Sequence, residues 1–330
     1  MHVLVLGGAG YIGSVTVEQL LNAGHRVTVF DDLSYGHREA IDERAAFVRG
    51  NALNRGELGA AFAEPVDAVV HFAAFIAVGE SMQLPEAYFR NNVAATINLL
   101  DEMLASGVRR LVFSSTAALF GEPRYVPIDE QHPLEPINPY GESKLIVERM
   151  LRWYDERRGI KWVALRYFNA SGASERFGED HHPETHLIPI VLEVAEGKRD
   201  ALPLFGNDYP TRDGTCVRDY VHVVDLAQAH VLALDYAAER SGQFNLGSGR
   251  GSTNLEVVEA ARRVTGHPIP VVIEPRRPGD PPELVASSQL ARSELGWRPD
   301  YDDIETIVAS AWRWRQRHPR GYAAAAASGG

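Results

Sequence analysis

The chain has 330 residues, 45% of them hydrophobic and 23% charged, which suits a globular protein of one large or two fused domains. Its formal net charge of −11 disfavours nucleic acids and anionic membranes as partners, because both are themselves negatively charged. With a single cysteine, Cys216, no signal peptide and no apolar run near the ~20 residues that span a bilayer, we expect a cytoplasmic protein without a disulfide or membrane contact.

The N-terminal segment has the order of a dinucleotide-binding unit. Residues 2–6 form an apolar run typical of a buried parallel strand, and residues 7–13, GGAGYIG, precede a predicted helix. Glycines in such a turn allow close approach of a pyrophosphate, and the helix N-terminus offers free N–H groups. Asp31 follows a second predicted strand, 26–30, where a carboxylate can bind an adenosine ribose and repel a ribose 2′-phosphate. We therefore predict dinucleotide binding, with NAD favoured over NADP.

Strands and helices continue to alternate, which predicts an α/β fold with a doubly wound parallel sheet of the Rossmann type. The further strand candidates are residues 46–49, 66–72, 110–115 and 162–168, and a long helix candidate runs from about 85 to 106. Right-handed crossovers place ligands beyond the carboxyl ends of such strands. We assign residues 1–170 to this nucleotide-binding domain.

The alternation breaks after Phe168, and we assign residues 171–320 to a smaller α/β lobe that binds the substrate. The elements predicted in this lobe are helices at 224–238 and 303–317 and short strands at 243–246 and 271–273. Residues 321–330 are rich in alanine, serine and glycine from Ala323 onwards. They are predicted to be a disordered tail or an expression remnant.

A tyrosine and a lysine are placed for proton transfer. Asn138 can cap a helix that begins at Pro139, and on it Tyr140 and Lys144 lie one turn apart on the same side. A phenol ordinarily ionises near pH ~10, and a nearby ammonium group stabilises the phenolate. We therefore expect Lys144 to lower the pKa of Tyr140 and make it a base for an alcohol proton. Residues 114–116, Ser-Ser-Thr, end a predicted strand within its reach.

Three histidines, His181, His182 and His186, raise the question of a metal site, because His182 and His186 are four residues apart. The segment is predicted to be a loop. No cysteine and no clear third set of ligands accompanies the histidines, so we expect no metal here.

The motifs cover nearly the whole chain. They are Gly7-x-x-Gly10-x-x-Gly13, Asp31, Ser114-Ser115-Thr116 and Tyr140-x-x-x-Lys144, with HFAAFIAVGES (71–81), FSSTAALFG (113–121), NPYGESK (138–144), LRYFNASGA (165–173), LFGNDYPTRDGTCVRDYVHV (204–223) and FNLGSGRG (244–251). Together they resemble the extended short-chain dehydrogenases/reductases, and within them the UDP-galactose 4-epimerases.

The resemblance implies an isomerase that keeps NAD bound and returns it unchanged. Tyr140 would take the proton of the sugar 4-hydroxyl while hydride leaves that carbon, Thr116 would hydrogen-bond the same oxygen, and Lys144 would bind the nicotinamide ribose. The keto sugar would then rotate about its diphosphate and take the hydride back on its other face. The implied cofactor-binding residues are Gly7, Gly10, Tyr11, Ile12, Gly13, Asp31, Asn51, Ala52, Phe72, Ala73, Ala74, Asn91, Ser114, Tyr140, Lys144 and Tyr167. The implied substrate-binding residues are Thr116, Asn169, His186, Leu187, Leu204, Phe205, Arg218, Tyr220, Arg277 and Asp280.

Several alternatives stay open within this resemblance. An epimerase of N-acetylated or uronic UDP-sugars remains possible, because Leu284 is neither the large aromatic nor the small residue known at the sugar pocket. A dehydratase is disfavoured, because Ala117 and Ala118 follow Thr116 where dehydratases carry Asp-Glu. A non-catalytic NAD-binding module is disfavoured because both Tyr140 and Lys144 are present. The resemblance also implies a homodimer that pairs the helices at 85–106 and 142–157.

Overall fold

A computed structural model describes residues 1–277 and 279–322 of the chain. The strands are β1 (His2–Leu6), β2 (Arg26–Asp31), β3 (Ala46–Arg49), β4 (Ala68–His71), β5 (Arg110–Thr116), β6 (Lys161–Tyr167), β7 (Asn169–Ser171), β8 (Leu202–Phe205), β9 (Val217–Arg218), β10 (Tyr220–His222), β11 (Gly242–Leu246), β12 (Ser252–Thr253), β13 (Val271–Glu274) and β14 (Glu283–Leu284). The helices are α1 (Tyr11–Asn22), α2 (Arg55–Ala60), α3 (Val78–Ser81), α4 (Pro85–Tyr88), α5 (Ala95–Ala105), α6 (Pro139–Arg158), α7 (Leu187–Ala195), α8 (Val223–Tyr236), α9 (Asn254–Thr265) and α10 (Ile304–Arg317).

Seven parallel strands form the central sheet in the order β11-β6-β5-β4-β1-β2-β3. Chain order reverses beside β1, which confirms the doubly wound sheet. Side chains of β1 alternate between its two faces: Val3 and Val5 join the core under α1 and α8, whereas Leu4 and Leu6 join the core under α2, α5 and α6. Both faces are thus covered by helices, as an all-parallel sheet requires.

The central sheet includes a strand from the region assigned to the second lobe. The predicted boundary at 170/171 is therefore wrong for that part of the region. Strand β11 pairs with β6 as the edge of the central sheet, and α8 packs on α1. The chain leaves the nucleotide-binding domain after β6, returns for α8 and β11, and leaves again. An edge strand supplied late in the chain cannot be recognised from local pattern alone.

The remaining elements build the smaller lobe. Helices α7, α9 and α10 enclose a separate core that includes Val191, Val257 and Ile307, and β13 pairs with β8 beside it. Tyr322 is also buried, and its backbone N–H donates to Asp180 at 2.8 Å, so the predicted tail does not begin at 321. Residues 323–330 of that tail lie outside the described residues. No helix in the described part of the chain combines the length and apolarity needed to cross a membrane.

The long helix predicted at 85–106 forms as one continuous helical stretch, residues 85–105. Between α4 and α5 the backbone forms a π-helical segment, Phe89–Ala94, and such segments occur often at functional sites. Its Asn92 is buried; it accepts from the Phe75 N–H at 2.8 Å and donates to Ser143 at 2.9 Å. The segment therefore fastens the loop after β4 to helix α6, which carries Tyr140.

Candidate active site

The glycine turn after β1 forms a tight cradle. Gly7 has φ +77°, and a Cβ atom there would lie 2.6 Å from the backbone nitrogen of Ala73. A Cβ atom on Gly13 would overlap the carbonyl oxygen of Gly7. Side chains at either position would fill the space in which the turn, helix α1 and the loop after β4 meet. The predicted residues Phe72, Ala73 and Ala74 lie in that loop.

Helix α1 begins in this cradle without a capping side chain. Gly10 is its N-cap, no side chain in the described part of the chain accepts from the N–H groups of its first turn, and that turn contains no acidic residue. The N-terminus carrying Tyr11, Ile12 and Gly13 therefore retains its positive dipole end for an anionic ligand. The Tyr11 hydroxyl donates to the carbonyl of Gly172 at 2.6 Å, which ties the cradle to the smaller lobe.

Asp31 lies at the carboxyl end of β2, beside the cradle. Its carboxylate accepts from the N–H of Ala9 at 3.0 Å and from that of Leu33 at 2.9 Å. Burial raises the pKa of Asp31, and the two N–H groups oppose that shift. Asn51 donates to Asp32 at 2.8 Å and accepts from the Leu53 N–H at 2.8 Å, so its amide oxygen is already engaged. These side chains are fixed in place before a ligand arrives.

Tyr140, Thr116 and Lys144 meet at the carboxyl end of β5. Asn138 caps α6 by accepting from the Gly141 N–H at 2.8 Å, with Pro139 in the first turn, as predicted. The Thr116 side chain lies near enough to the Tyr140 phenol to lower its pKa. Lys144 is 2% exposed and donates to the carbonyl of Ser114 at 2.8 Å. A hydroxyl, a phenol and an amine are thus grouped at one strand end.

The pKa shifts at this site differ from the sequence-based expectation. Burial raises the pKa of Tyr140, and the nearby Thr116 side chain opposes that shift. Burial also lowers the pKa of Lys144 to about 7, which attraction by Glu148 partly offsets. In the protein without a ligand, Lys144 therefore does not lower the pKa of Tyr140 as the sequence led us to expect. Burial penalises both charged forms, so phenolate formation needs a further positive charge.

A buried ion pair beside Lys144 was missed from the sequence. Glu148, one helical turn beyond Lys144, accepts from Arg166 at 3.0 and 2.5 Å and from the Ser115 hydroxyl at 2.6 Å. The Glu148 and Arg166 side chains are only 4% and 3% exposed. The sequence shows the spacing Lys144-x-x-x-Glu148, but no pattern near Glu148 indicates that Arg166 of β6 is its partner.

Four other predicted cofactor residues lie in the same domain as this group. The hydroxyls of Ser114 and Tyr167 are hydrogen-bonded to each other at the ends of β5 and β6. Asn91, in the π-helical segment, is half-buried and donates to Asn92 at 3.1 Å. Ala52 is buried against the core under α2 and α5. Each therefore lies in the domain to which it was assigned.

A cavity of about 200 Å³ opens next to the strand ends. It begins at Asn169, two residues beyond Tyr167, which is aligned with Thr116 across β5 and β6. The predicted substrate-binding residues that line it are Asn169, His186, Leu187, Leu204, Phe205, Arg218, Tyr220, Arg277 and Asp280. The structure thus gathers residues scattered over more than a hundred positions into one cavity. Asn254, the first residue of α9, also lines it and was missed.

Two arginines provide positive charge in this cavity. The Arg277 guanidinium lies 3.8 Å from the centre of the Phe205 ring, a cation–π contact. Arg218 is 13% exposed; it donates to the carbonyl of Pro281 at 2.9 Å and lies 3.4 Å from Asp280. An otherwise acidic protein therefore has a local basic cavity that suits an anionic ligand.

Cradle and cavity together define a dinucleotide-dependent protein of the extended short-chain dehydrogenase/reductase class. The profile of the "NAD dependent epimerase/dehydratase family" matches residues 3–247. The chain belongs to this family.

Known proteins similar to the chain agree with this placement. A UDP-glucose 4-epimerase of Lacticaseibacillus casei is 55% identical, over 98% of this chain and 99% of that protein. The crystal structure of a UDP-glucose 4-epimerase from Bifidobacterium longum in complex with NAD+ and UDP has a TM-score of 0.92 and 39% identity, over 97% of this chain and 100% of that one. A UDP-Glc/GlcNAc 4-epimerase from Campylobacter jejuni has a TM-score of 0.85 and 44% identity, over 96% and 99% of the two chains.

Proposed function

We propose that the protein is a UDP-glucose 4-epimerase that interconverts UDP-galactose and UDP-glucose. The observation that carries the proposal is the meeting of Tyr140, Thr116 and Lys144 at the end of β5, between the glycine cradle and the basic cavity. The similar epimerases named above support the same conclusion over nearly the full length of the chain.

The cradle fits NAD. Gly7 and Gly13 let the turn pack backbone to backbone against the start of α1 and the loop after β4, and the uncapped start of α1 suits a pyrophosphate. Asp31 suits a ribose and disfavours a 2′-phosphate, and Lys144 and Asn91 would hold the nicotinamide half of the cofactor. When bound, NAD supplies the hydride acceptor and donor and the positive charge of its oxidised nicotinamide.

The protein groups move one proton and orient one oxygen. Tyr140 accepts the proton of the sugar 4-hydroxyl as hydride leaves carbon 4, and returns it after hydride has come back to the opposite face. Thr116 hydrogen-bonds the reacting oxygen, and Lys144 holds the cofactor ribose beside Tyr140. Proton and hydride both return, so the reaction is an isomerisation with no net redox change.

The cavity anchors the nucleotide rather than the sugar. Arg218 and Arg277 face the diphosphate, and Asp280 accepts from the uridine ribose. Leu204 and Phe205 enclose the uracil ring. The remaining cavity residues complete the diphosphate and ribose contacts: Asn169 from β7, Tyr220 from β10, and His186 and Leu187 at the start of α7. A firmly held nucleotide leaves the keto sugar free to turn over between the two hydride transfers.

The two ligands are bound by different parts of the fold. Residues 1–170 with α8 and β11 bind NAD, and the rest of residues 171–320 binds the UDP-sugar. We also propose a homodimer through helices 85–106 and 142–157, since Ile97 and Trp153 are 40% and 52% exposed on these helices. A reducing, cytoplasmic location is proposed on the single, buried Cys216.

A second candidate substrate is an N-acetylated UDP-sugar, which the similarity to the Campylobacter jejuni enzyme favours. Leu284 lies in β14 beside Arg218 of β9 and packs on the core formed by Leu119, Phe120 and Leu145. Its side chain therefore borders the route from the cavity to Thr116. Elimination of water is disfavoured, because Ala117 and Ala118 after Thr116 carry no acid or base.

The experiment is to incubate the purified protein with UDP-galactose, without added NAD, and to separate the products by chromatography. Formation of UDP-glucose toward equilibrium supports the proposal. Tyr140→Phe should abolish turnover while NAD stays bound, and Tyr125→Phe, which alters an exposed tyrosine, should leave turnover unchanged. No product from the wild type, even with added NAD, would refute it; UDP-N-acetylglucosamine in the same assay tests the second candidate.

A further inference from the structure

A cluster of two histidines and two glutamates lies between β7 and α7. The spacing is Glu179-x-His181-x-x-Glu184-x-His186, and one potential ligand atom from each side chain lies within 4.8 Å of all the others. His182, considered with these histidines in the sequence, is outside the cluster; its side chain is 81% exposed and paired with Asp180.

Three of the six distances between ligand atoms in the cluster are close to those of a tetrahedral metal site, and all six are within 4.8 Å. The Nδ1 atom of His186 lies 2.8 Å from Glu184 and 3.1 Å from Glu179, and Nδ1 of His181 lies 3.2 Å from Glu179. A tetrahedral ion with bonds of about 2.0–2.1 Å holds its ligand atoms about 3.3 Å apart. Small shifts would therefore place all four groups around one ion.

In the described part of the chain, the charged partners of both carboxylates are the histidines of the cluster itself. The Glu179 and Glu184 side chains are only 9% and 5% exposed. Among the residues that the structure describes, neither forms an ion pair with a lysine or arginine. One oxygen of Glu184 also accepts the N–H groups of Thr185 and His186 at 2.7 Å, which orients the carboxylate.

We propose that Glu179, His181, Glu184 and His186 bind one divalent transition-metal ion of the zinc class through two imidazole nitrogens and two carboxylate oxygens. Imidazole favours zinc-like ions over Mg²⁺ or Ca²⁺, which prefer all-oxygen sites. No metal was expected here because the histidines lie in a predicted loop without a cysteine or a clear third set of ligands, whereas the structure supplies two glutamates.

The site is structural and does not depend on the proposed reaction. All four ligands belong to the protein, so a tetrahedral ion has no open position. Thr185 and His186 line the basic cavity, and His186 is the N-cap of α7. The ion therefore crosslinks residues 179–186 and fixes one wall of the cavity.

The test compares zinc retention in the full-length protein and three variants. Each protein is stripped with a chelator, freed of it, mixed with zinc chloride and gel-filtered, and bound zinc is measured by mass spectrometry. We expect the wild type to retain one zinc ion per chain, to melt several degrees higher with it and to retain no Mg²⁺. His181→Ala and Glu179→Gln should weaken zinc binding at least roughly tenfold, because even outer-shell changes have effects of that size. His182→Ala, one residue away, should behave as the wild type.

Failure of the wild type to retain zinc, or equal retention by His181→Ala and Glu179→Gln, would overturn the proposal and leave the cluster as a network of histidine–carboxylate ion pairs. If His181→Ala does not fold, Glu179→Gln decides, because it keeps the side-chain shape. Cobalt substitution gives an independent result: the visible spectrum of tetrahedral Co²⁺ should appear in the wild type and be lost in Glu179→Gln.

Discussion

Replacing Glu148 by Gln should destabilise the protein strongly and also disturb Lys144. The change removes the buried charge that faces Arg166 and puts an amide donor among the guanidinium donors. Leaving one member of a buried ion pair alone costs about 3–5 kcal/mol. At roughly 2 °C per kcal/mol for a chain of this length, the melting temperature should fall by about 6–10 °C. Because Glu148 raises the pKa of Lys144, the variant should also lower that pKa further.

The matched control is Glu135→Gln, which breaks the ion pair with Arg124. Both of those side chains are 59% exposed, and exposed pairs contribute only about 0–1 kcal/mol. Thermal melts of both variants, with the wild type, separate the two effects. Equal, small shifts for Glu148→Gln and Glu135→Gln would refute the inference that the buried pair supports the site.

Three further predictions concern the cradle, the cavity and the buried amine. Gly13→Ala should abolish NAD binding, measured as cofactor released on denaturation. The control Gly59→Ala, whose Cβ would meet its nearest neighbour at 3.7 Å, should keep NAD. Normal NAD content in Gly13→Ala would contradict the role of the glycine cradle in binding NAD. Arg277→Ala should raise the Kd for UDP, measured by calorimetry, by roughly 10–100-fold, as expected for the loss of a charge-assisted hydrogen bond of about 1.5–3 kcal/mol. The control Arg276→Ala, which loses only an exposed ion pair, should bind UDP normally. Burial lowers the pKa of Lys144 to about 7 in the folded protein. Between about pH 7 and pH 10, the amine is therefore protonated in the unfolded chain and neutral in the folded protein. The stability of the NAD-free wild type relative to Lys144→Met should therefore rise with pH across that window, by up to about 1.4 kcal/mol per unit, in denaturant titrations; a flat difference would count against the shift.

The fold was largely predictable because its signals are local. Parallel strands buried on both faces are continuous apolar runs, and β1 and β3 have the predicted bounds. The glycine turn, the cap of α6 and the Tyr140–Lys144 spacing were likewise visible within a few residues of sequence. The boundary between domain and lobe was not, because β11 joins the sheet through a pairing with β6 that is distant in the chain.

The site was predictable where family motifs mark it and less so where tertiary contacts create it. The family resemblance identified the cavity residues, but Asn92 and Glu148 act through partners that only folding brings near. The direction of the Tyr140 pKa was also missed, because burial depends on the complete site and outweighs the helical neighbour Lys144. The cluster around His186 shows the same limit, since its ligands needed a folded loop to be recognised.

In the proposed reaction, hydride leaves and returns to the same sugar carbon while Tyr140 moves only the hydroxyl proton. The most direct measurement uses UDP-galactose with deuterium at carbon 4, in ordinary water, with the product analysed by NMR. The UDP-glucose formed should retain the deuterium at carbon 4, because the hydride never exchanges with solvent. Product with hydrogen at carbon 4, or no product, would contradict it.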